Sequence, residues 1–219
     1  IQGDRATTAT VIGPGVIGQT SALALDSALD ALETLRIHHP EAWKAEAFAD
    51  EMAADIDATI VPVSDPAEAV SGSYVTVVAA TGSPPPKIEG SWLKDDCLVI
   101  PLGDLRADLS AFDADLIFCD VRRNTLEFAA HMDWQIMNAL GAAVDYNIGL
   151  ELAESDLRAL HEVVGGEDTA STEGRSGLYS PGLPMEDVAW ASRVYETAAE
   201  RDLGRTLTMF EEPYFSKPY

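Results

Sequence analysis

Residues 7–18 read TTATVIGPGVIG, a run of β-branched residues that ends in three closely spaced glycines. The β-branched run predicts a strand, and the Ala- and Leu-rich segment from Val16 to about Leu32 predicts a helix. In that context the first glycine permits a tight turn, the second lets the backbone approach a pyrophosphate, and the third lets helix and sheet pack closely. The N–H groups at the start of the helix then bind phosphate charge. A glycine-rich turn without a ligand is the alternative. We predict a dinucleotide-binding turn made of Gly13, Pro14, Gly15, Val16, Ile17 and Gly18.

Five further apolar runs follow this turn and alternate with helical patterns. They lie at Leu35–His38, Ala58–Val63, Tyr74–Ala80, Cys97–Leu102 and Asp115–Asp120. Strands that alternate with helices indicate a parallel sheet covered on both faces. The predicted fold class is therefore α/β, with a doubly wound, Rossmann-type parallel sheet.

Beyond Asp120 the pattern changes from strands to helices and loops. Helices are predicted over Asn124–Leu140, over Ser155–Val164 and from Pro184 to about Asp202. Residues 165–182 have the Gly-, Ser- and Thr-rich composition of a loop. The tail after residue 205 would expose apolar surface unless it packs against something, because it carries Phe210, Tyr214, Phe215 and Tyr219.

The composition argues against several classes of protein. With 47% apolar residues and a formal charge of −23, the chain can form a core, but it lacks the basic surface that nucleic acid or an anionic membrane requires. No run of 18 apolar residues is present, so no membrane-spanning helix is expected. Cys97 and Cys119 form neither a disulfide framework nor a zinc spacing, which favours a reducing cytoplasm. No metal site is predicted.

Two histidines occupy the place where the ribose of a dinucleotide is usually bound. An NAD site usually has Asp or Glu at the end of the second strand, and here that place is held by His38 and His39. An NADP site usually offers an arginine just beyond, where this chain has Pro40 and Glu41. Because Glu41 would repel a 2′-phosphate, the sequence favours NAD, and NADP stays open. The alternative for the histidine pair is a solvent-facing turn without a ligand.

Two later strand ends bring polar groups to the crevice in which dinucleotides lie. Thr81, Gly82 and Ser83 follow the fourth predicted strand, and Asp104 follows the fifth. A carboxylate at this place can hold an ammonium group or shuttle a proton. The alternative role for Asp104 is a cap for the segment that follows it.

Four segments together resemble the ornithine cyclodeaminase/mu-crystallin family. They are GPGVIG at 13–18, AATGSPPPKIEGSWLK at 79–94, LGD at 102–104 and GLYSPGLPMEDVAWASRVYETAAERDLG at 177–204, and the resemblance covers nearly the whole chain. In that family the chain begins and ends in a substrate-binding, dimer-forming domain. The resemblance therefore implies an NAD(P)-binding domain over residues 1–145. Residues 146–219 would return toward the second domain, whose N-terminal part is absent from this chain, which opens at Ile1 as if in mid-protein.

The resemblance also implies roles for individual residues. Asp104 matches the family's catalytic aspartate beside the substrate's α-amino group, and Thr81 matches a threonine that contacts the cofactor. Ser180 matches a serine near the nicotinamide. Asp108 stands where some cyclodeaminases have a cofactor-contacting lysine, with Arg106 as a candidate substitute. The backbone that passes along the cofactor is matched by Ile100, Pro101 and Leu102.

The implied function is NAD(P)-dependent hydride transfer at the α-carbon of an amino acid or its cyclic or linear imine. An amino-acid dehydrogenase, a ketimine reductase and a cyclodeaminase all fit that description. The alternative is a non-catalytic dinucleotide-binding protein of the mu-crystallin type. The expected partners are a small amino acid or imine and a second copy of the chain in a homodimer, because the aromatic tail and the incomplete second domain leave surface to cover. The expected location is the cytoplasm.

Overall fold

The structure of the chain is a computed structural model that describes residues 4–82, 84–107, 116–131, 135–146, 153–166 and 174–208. Ser83, Asp108 and the four aromatic residues of the predicted tail lie outside the described residues.

Strands and helices alternate over residues 8–78, as the sequence predicts, whereas the described part of residues 79–119 contains strands and one 3-10 turn, Gly90–Trp92. The strands are β1 (Thr8–Ile12), β2 (Thr34–His38), β3 (Thr59–Val63), β4 (Val75–Val78), β5 (Lys87–Ile88), β6 (Leu98–Pro101), β7 (Arg106–Ala107), β8 (Leu116–Cys119), β9 (Leu157–Ala159) and β10 (Ser176–Tyr179). The helices are α1 (Val16–Ala28), α2 (Ala42–Met52), α3 (Pro66–Val70), α4 (Arg122–His131), α5 (Gln135–Tyr146), α6 (Leu160–Val164) and α7 (Pro184–Glu200).

Eight of these strands form one parallel sheet in the order β3-β2-β1-β4-β6-β10-β8-β9, and β5 pairs with β7. The predicted doubly wound, Rossmann-type parallel sheet is confirmed. From β1 the chain first adds β2 and β3 on one side and then places β4 on the other. The strand order thus reverses between β1 and β4, and the carboxyl ends of both strands lie beside this crevice.

The central strands are apolar because helices cover the sheet on both sides. Every residue of β4 (VTVV) and of β8 (LIFC) is buried. Two clusters of buried apolar side chains hold the helices in place, one that includes Leu35, Ile37 and Phe48 and another that includes Ile117 and Leu157. Burial of each such side chain contributes about 1.5–3 kcal/mol.

The structure differs from the sequence prediction in the last strands of the sheet. Residues 157–159 of the segment predicted as one helix form β9, and only 160–164 are helical as α6. The segment predicted as a loop contains β10, which lies between β6 and β8. Gly177 in this strand has no room for a side chain, because a Cβ there would lie 2.8 Å from the Tyr179 ring.

The described chain divides into two compact units, one that ends at Pro181 and one that begins at Gly182. The domain division after residue 145 stays a prediction. The second unit contains α7, which begins with Pro184 and has Glu186 and Asp187 in its first turn. Its large apolar side chains are exposed, Trp190 and Tyr195 among them. None of the described helices has the length and apolar character needed to cross a membrane.

Candidate functional site

The turn after β1 brings three strand ends together. Gly13 has a φ of +105°, in the left-handed region that favours glycine. A Cβ at this position would lie 2.8 Å from the backbone Cα and N of Ala80, just beyond β4. The Gly13 N–H donates a hydrogen bond to the His38 carbonyl at 3.0 Å. Gly13 therefore lets the carboxyl ends of β1, β2 and β4 lie close together, and a side chain at this position would push them apart.

The two later glycines of the motif have different surroundings. A Cβ on Gly18 would lie 2.0 Å from the Gly13 carbonyl oxygen, so α1 packs on the turn only because position 18 is glycine. A Cβ on Gly15 would meet nothing within 4 Å. Gly15 is the N-cap of α1, and the first turn has no side-chain cap and no acidic residue. The N–H groups at this helix end are thus left for an anion.

A cleft of about 570 Å³ opens beside the glycine turn at the carboxyl ends of the strands. Its walls come from the ends of β1, β2, β3 and β4 and from the proline loop that leads into β5. It is lined by Ile12, Gly13, His38, His39, Pro40, Ser64, Pro66, Ala80, Thr81, Gly82, Pro84, Pro85, Pro86, Lys87 and Arg106. Although the chain has 37 acidic residues, none of these described lining residues is Asp or Glu. An anionic ligand in the cleft would therefore not be repelled by a carboxylate among these lining residues.

The two histidines in the cleft carry their ring protons on opposite nitrogens. Nδ1 of His38 lies 3.1 Å from the Val63 carbonyl oxygen, which only accepts, so Nδ1 donates and Nε2 of the neutral ring has the lone pair. Nδ1 of His39 accepts the Glu41 N–H at 3.0 Å, so the proton of the neutral His39 ring is on Nε2. His38 is 5% exposed, and this burial lowers its pKa below the usual value, with His39 acting in the same direction. His38 is consequently a neutral group at physiological pH.

Two cationic side chains, Arg106 and Lys87, also line the cleft. Arg106 donates from Nε to the Pro85 carbonyl at 2.8 Å, which fixes the guanidinium against the proline loop. Lys87 pairs with Glu89 at 2.5 Å, and β5 and β7 place Lys87 beside Arg106 in register. Arg106 therefore presents positive charge to the cleft, whereas the charge of Lys87 is balanced by Glu89.

Asp104 lies outside this cleft and bonds to the start of a helix. Its Oδ1 accepts the Leu105 N–H at 2.8 Å and the Ile136 N–H, in the first turn of α5, at 3.3 Å. Its Oδ2 makes no hydrogen bond with the described residues. The segment before it is held against the end of β4, where a Cβ on Gly103 would lie 2.6 Å from the Ala80 carbonyl oxygen. One oxygen of the carboxylate thus anchors α5, and the other stays available.

A second carboxylate, which the sequence interpretation missed, lies at the same edge of the sheet. Asp120 follows β8, is 5% exposed, and accepts a hydrogen bond from Ser180 Oγ at 2.7 Å on its Oδ2. Ser180 follows β10, the strand between β6 and β8. The position of Asp120 at a strand end was the available signal, because polar residues there face the crevice of an α/β sheet.

The structure brings together some of the predicted site residues and separates others. Gly13, His38, His39, Thr81 and Gly82 line the cleft. Ser64 and Lys87 also line it but were not among the predicted residues. Ser64 follows the third strand, so the strand-end rule was the available signal for it. The predicted residues that do not line the cleft are Pro14, Gly15, Val16, Ile17, Gly18, Ile100, Pro101, Leu102, Asp104 and Ser180.

The glycine turn, the parallel sheet and the cleft at the reversal of strand order define a Rossmann-type fold. Comparison with known proteins carries this further: the chain belongs to the ornithine cyclodeaminase/mu-crystallin family, whose model matches residues 2–202. The family predicted from the motifs is therefore confirmed.

Three similar proteins are distant from this chain in sequence and longer than it. An uncharacterized cyclodeaminase, y4tK, of Sinorhizobium fredii (strain NBRC 101917 / NGR234) is 26% identical over 207 residues, which are 91% of this chain and 59% of the relative. The structure of Thermococcus litoralis Δ1-pyrroline-2-carboxylate reductase in complex with NADH and L-proline matches with a TM-score of 0.75 at 20% identity, over 93% of this chain and 62% of that one. A lysine cyclodeaminase structure matches with a TM-score of 0.70 at 18% identity, over 97% and 59%. The chain thus spans about three fifths of the length of these relatives.

Proposed function

We propose that this chain binds an NAD-type dinucleotide in the cleft and forms the nucleotide-binding part of an enzyme that acts on a small amino acid or its imine. Family membership and the NADH-bound Thermococcus litoralis relative support the class of cofactor. When bound, such a cofactor supplies hydride exchange at its nicotinamide ring. Amino-acid oxidation, imine reduction and cyclodeamination all use that exchange.

The observation that carries the proposal is a cleft that lies beside the glycine turn and has no carboxylate among its described lining residues. The open N-terminus of α1 and the unobstructed Gly15 suit a pyrophosphate, whose charge the helix end stabilises. Arg106 and the Glu89-paired Lys87 also line the cleft, and Arg106 adds positive charge to it. In an acidic protein these features favour a dianionic ligand at this place.

Asp104 is the residue that we assign to the substrate. Because Oδ1 is held by the N–H groups of Leu105 and Ile136, the carboxylate is fixed in one orientation and its charge is stabilised by the start of α5. Oδ2 then holds the ammonium or iminium group of the substrate and receives or gives its proton. β6, which precedes Asp104, is next to β4 on the side of the sheet away from β2. That side is the nicotinamide side when the adenosine lies over β2.

A second candidate function is dinucleotide binding without turnover. The hydrogen bond from the start of α5 to Asp104 favours this candidate, because it explains the presence of the carboxylate by a structural role without catalysis. The two candidates share the cofactor and differ in whether Asp104 does chemistry.

The test begins with calorimetric titration of the chain with NADH. Turnover is then followed at the nicotinamide absorbance band with a panel of small amino acids and cyclic imines. Asp104→Asn keeps an oxygen for the Ile136 N–H, so we expect NADH affinity within about twofold of wild type and turnover lower by at least about a hundredfold. Asp95→Asn is the matched control, since Asp95 is fully exposed before β6.

The outcomes separate the two candidates. NADH binding without turnover on any substrate would support the binding protein, whereas turnover on any substrate of the panel would support the enzyme and overturn the binding protein. Normal turnover by Asp104→Asn would overturn the role given to this carboxylate. No NADH binding at all would overturn both candidates.

A further inference from the structure

The ribose end of the cleft lacks both groups that usually decide between NAD and NADP. A carboxylate at the end of β2 binds the ribose hydroxyls and rejects a 2′-phosphate, whereas an arginine there attracts it. In this chain β2 ends at His38, followed by His39 and Pro40. Arg36, the arginine within β2, donates instead to the Glu68 carbonyl at 3.0 Å and the Ala69 carbonyl at 3.3 Å, at the end of α3.

The hydrogen bonds of the two imidazoles give this end one acceptor and one donor. His38 binds Val63 through Nδ1, which leaves the lone pair of Nε2 as an acceptor for a hydroxyl. His39 accepts from Glu41 through Nδ1, which leaves Nε2–H as a donor. Ser64 follows β3, is exposed in the cleft, and adds a hydroxyl that both donates and accepts. The three side chains lie on neighbouring strand ends, because His38 pairs with Val63 in register.

We propose that His38, His39 and Ser64 form a ribose subsite without a carboxylate or an arginine that binds NADP as well as NAD. The proposal rests on the dinucleotide site proposed above. A ribose hydroxyl donates to His38 in either cofactor, and a 2′-phosphate accepts from His39 Nε2–H and from the Ser64 hydroxyl. Because none of the three residues is a carboxylate that would repel a 2′-phosphate, neither cofactor is excluded.

The nearest carboxylates do not prevent this arrangement. Glu41, which the sequence suggests would repel a 2′-phosphate, forms an ion pair with Lys44 and does not line the cleft. Asp65 uses Oδ1 to cap α3 by accepting the Glu68 N–H at 2.8 Å, and it too does not line the cleft. The repulsion that favoured NAD from sequence alone is therefore weakened by the positions of these side chains.

The test compares NADH and NADPH in separate calorimetric titrations of the same chain. We expect both to bind, with dissociation constants within about tenfold of each other. If NADH binds and NADPH is at least a hundredfold weaker, or the reverse, the dual subsite is wrong although the dinucleotide site stands. If neither binds, the dinucleotide site itself is wrong.

Variants assign the effect to the three residues. Ser64→Asp places a carboxylate at an exposed position that tolerates it, and we expect NADPH affinity to fall at least tenfold while NADH affinity stays within about threefold. His39→Gln should weaken NADPH binding by at least about tenfold, the loss of one hydrogen bond to a charged group. His161→Gln on α6 is the matched control for the histidine, because His161 is exposed and does not line the cleft. Equal losses for both cofactors in Ser64→Asp would overturn the assignment.

Discussion

Replacing Gly15 with alanine should separate nucleotide binding from folding. The new Cβ meets no atom within 4 Å, and the residue has φ −88° and ψ −172°, which alanine adopts without strain. Alanine is a poorer N-cap than glycine by about 1 kcal/mol, and the smaller freedom of the unfolded chain offsets about 0.4–1 kcal/mol. The free energy of unfolding should therefore stay within about 1 kcal/mol of wild type.

Gly18→Ala is the contrasting variant in the same motif. Its Cβ would lie 2.0 Å from the Gly13 carbonyl oxygen, so α1 or the turn has to move. Such overpacking costs about 3 kcal/mol, which for a domain of this size lowers the melting temperature by about 6–12 °C. Gly18→Ala thus measures damage to the fold, against which Gly15→Ala is compared.

The binding assay then tests the place of the pyrophosphate. A methyl group on Gly15 occupies the space through which a phosphate approaches the backbone, and we expect NADH affinity to fall at least tenfold, or about 1.4 kcal/mol. Calorimetry measures the affinity, and thermal unfolding without ligand measures the stability. If Gly15→Ala binds NADH as tightly as wild type, the ligand does not lie on this turn. If it loses as much stability as Gly18→Ala, the space around Gly15 has been misjudged.

Three further measurements test the buried polar groups. Burial lowers the pKa of His38 below 6.5, so the unfolded chain binds the proton more readily than the folded one. The free energy of unfolding should therefore fall as the pH drops below about 6.5, which urea unfolding of wild type and of His38→Gln at several pH values would measure. A His38 pKa above 6.5 by NMR would contradict this prediction. Burial raises the pKa of Cys119 to about 11 and also raises the pKa of Cys97. Both thiols should therefore react with iodoacetamide at pH 8 only after the protein unfolds, and fast modification of the native protein would show that they are not buried. Ser180→Ala removes a donor from the buried Asp120 carboxylate and should lower the free energy of unfolding by about 2 kcal/mol, whereas an unchanged urea midpoint would show that this bond contributes nothing.

The parts of the fold that depend on neighbouring residues were predictable from sequence. The run before Gly13 is a strand because β-branched residues suit a buried parallel strand, and the helix after it follows from its Ala and Leu content. Asp65 caps α3, as its position before Pro66 suggests. In each case the deciding atoms lie within a few residues of one another.

The parts that depend on distant residues were not predictable in this way. The proton position on His38 is set by the Val63 carbonyl, 25 residues away, and the bond from Asp104 to Ile136 spans 32 residues. β10 was missed because Ser176 and Gly177 have low strand propensity, and its pairing with β6 and β8 satisfies its backbone instead. Tertiary position rather than local preference decides these features.

The place of β10 also determines when the sheet can be completed. β6 and β8 each pair with β10 and not with one another, and residues 176–179 follow the other described strands along the chain. As the protein emerges from the ribosome, β1–β4 and β6 can assemble early, while β8 and β9 wait with an open edge. Closure of the sheet is therefore a late event that depends on long-range pairing, and such pairing is slow and leaves edges exposed to other chains.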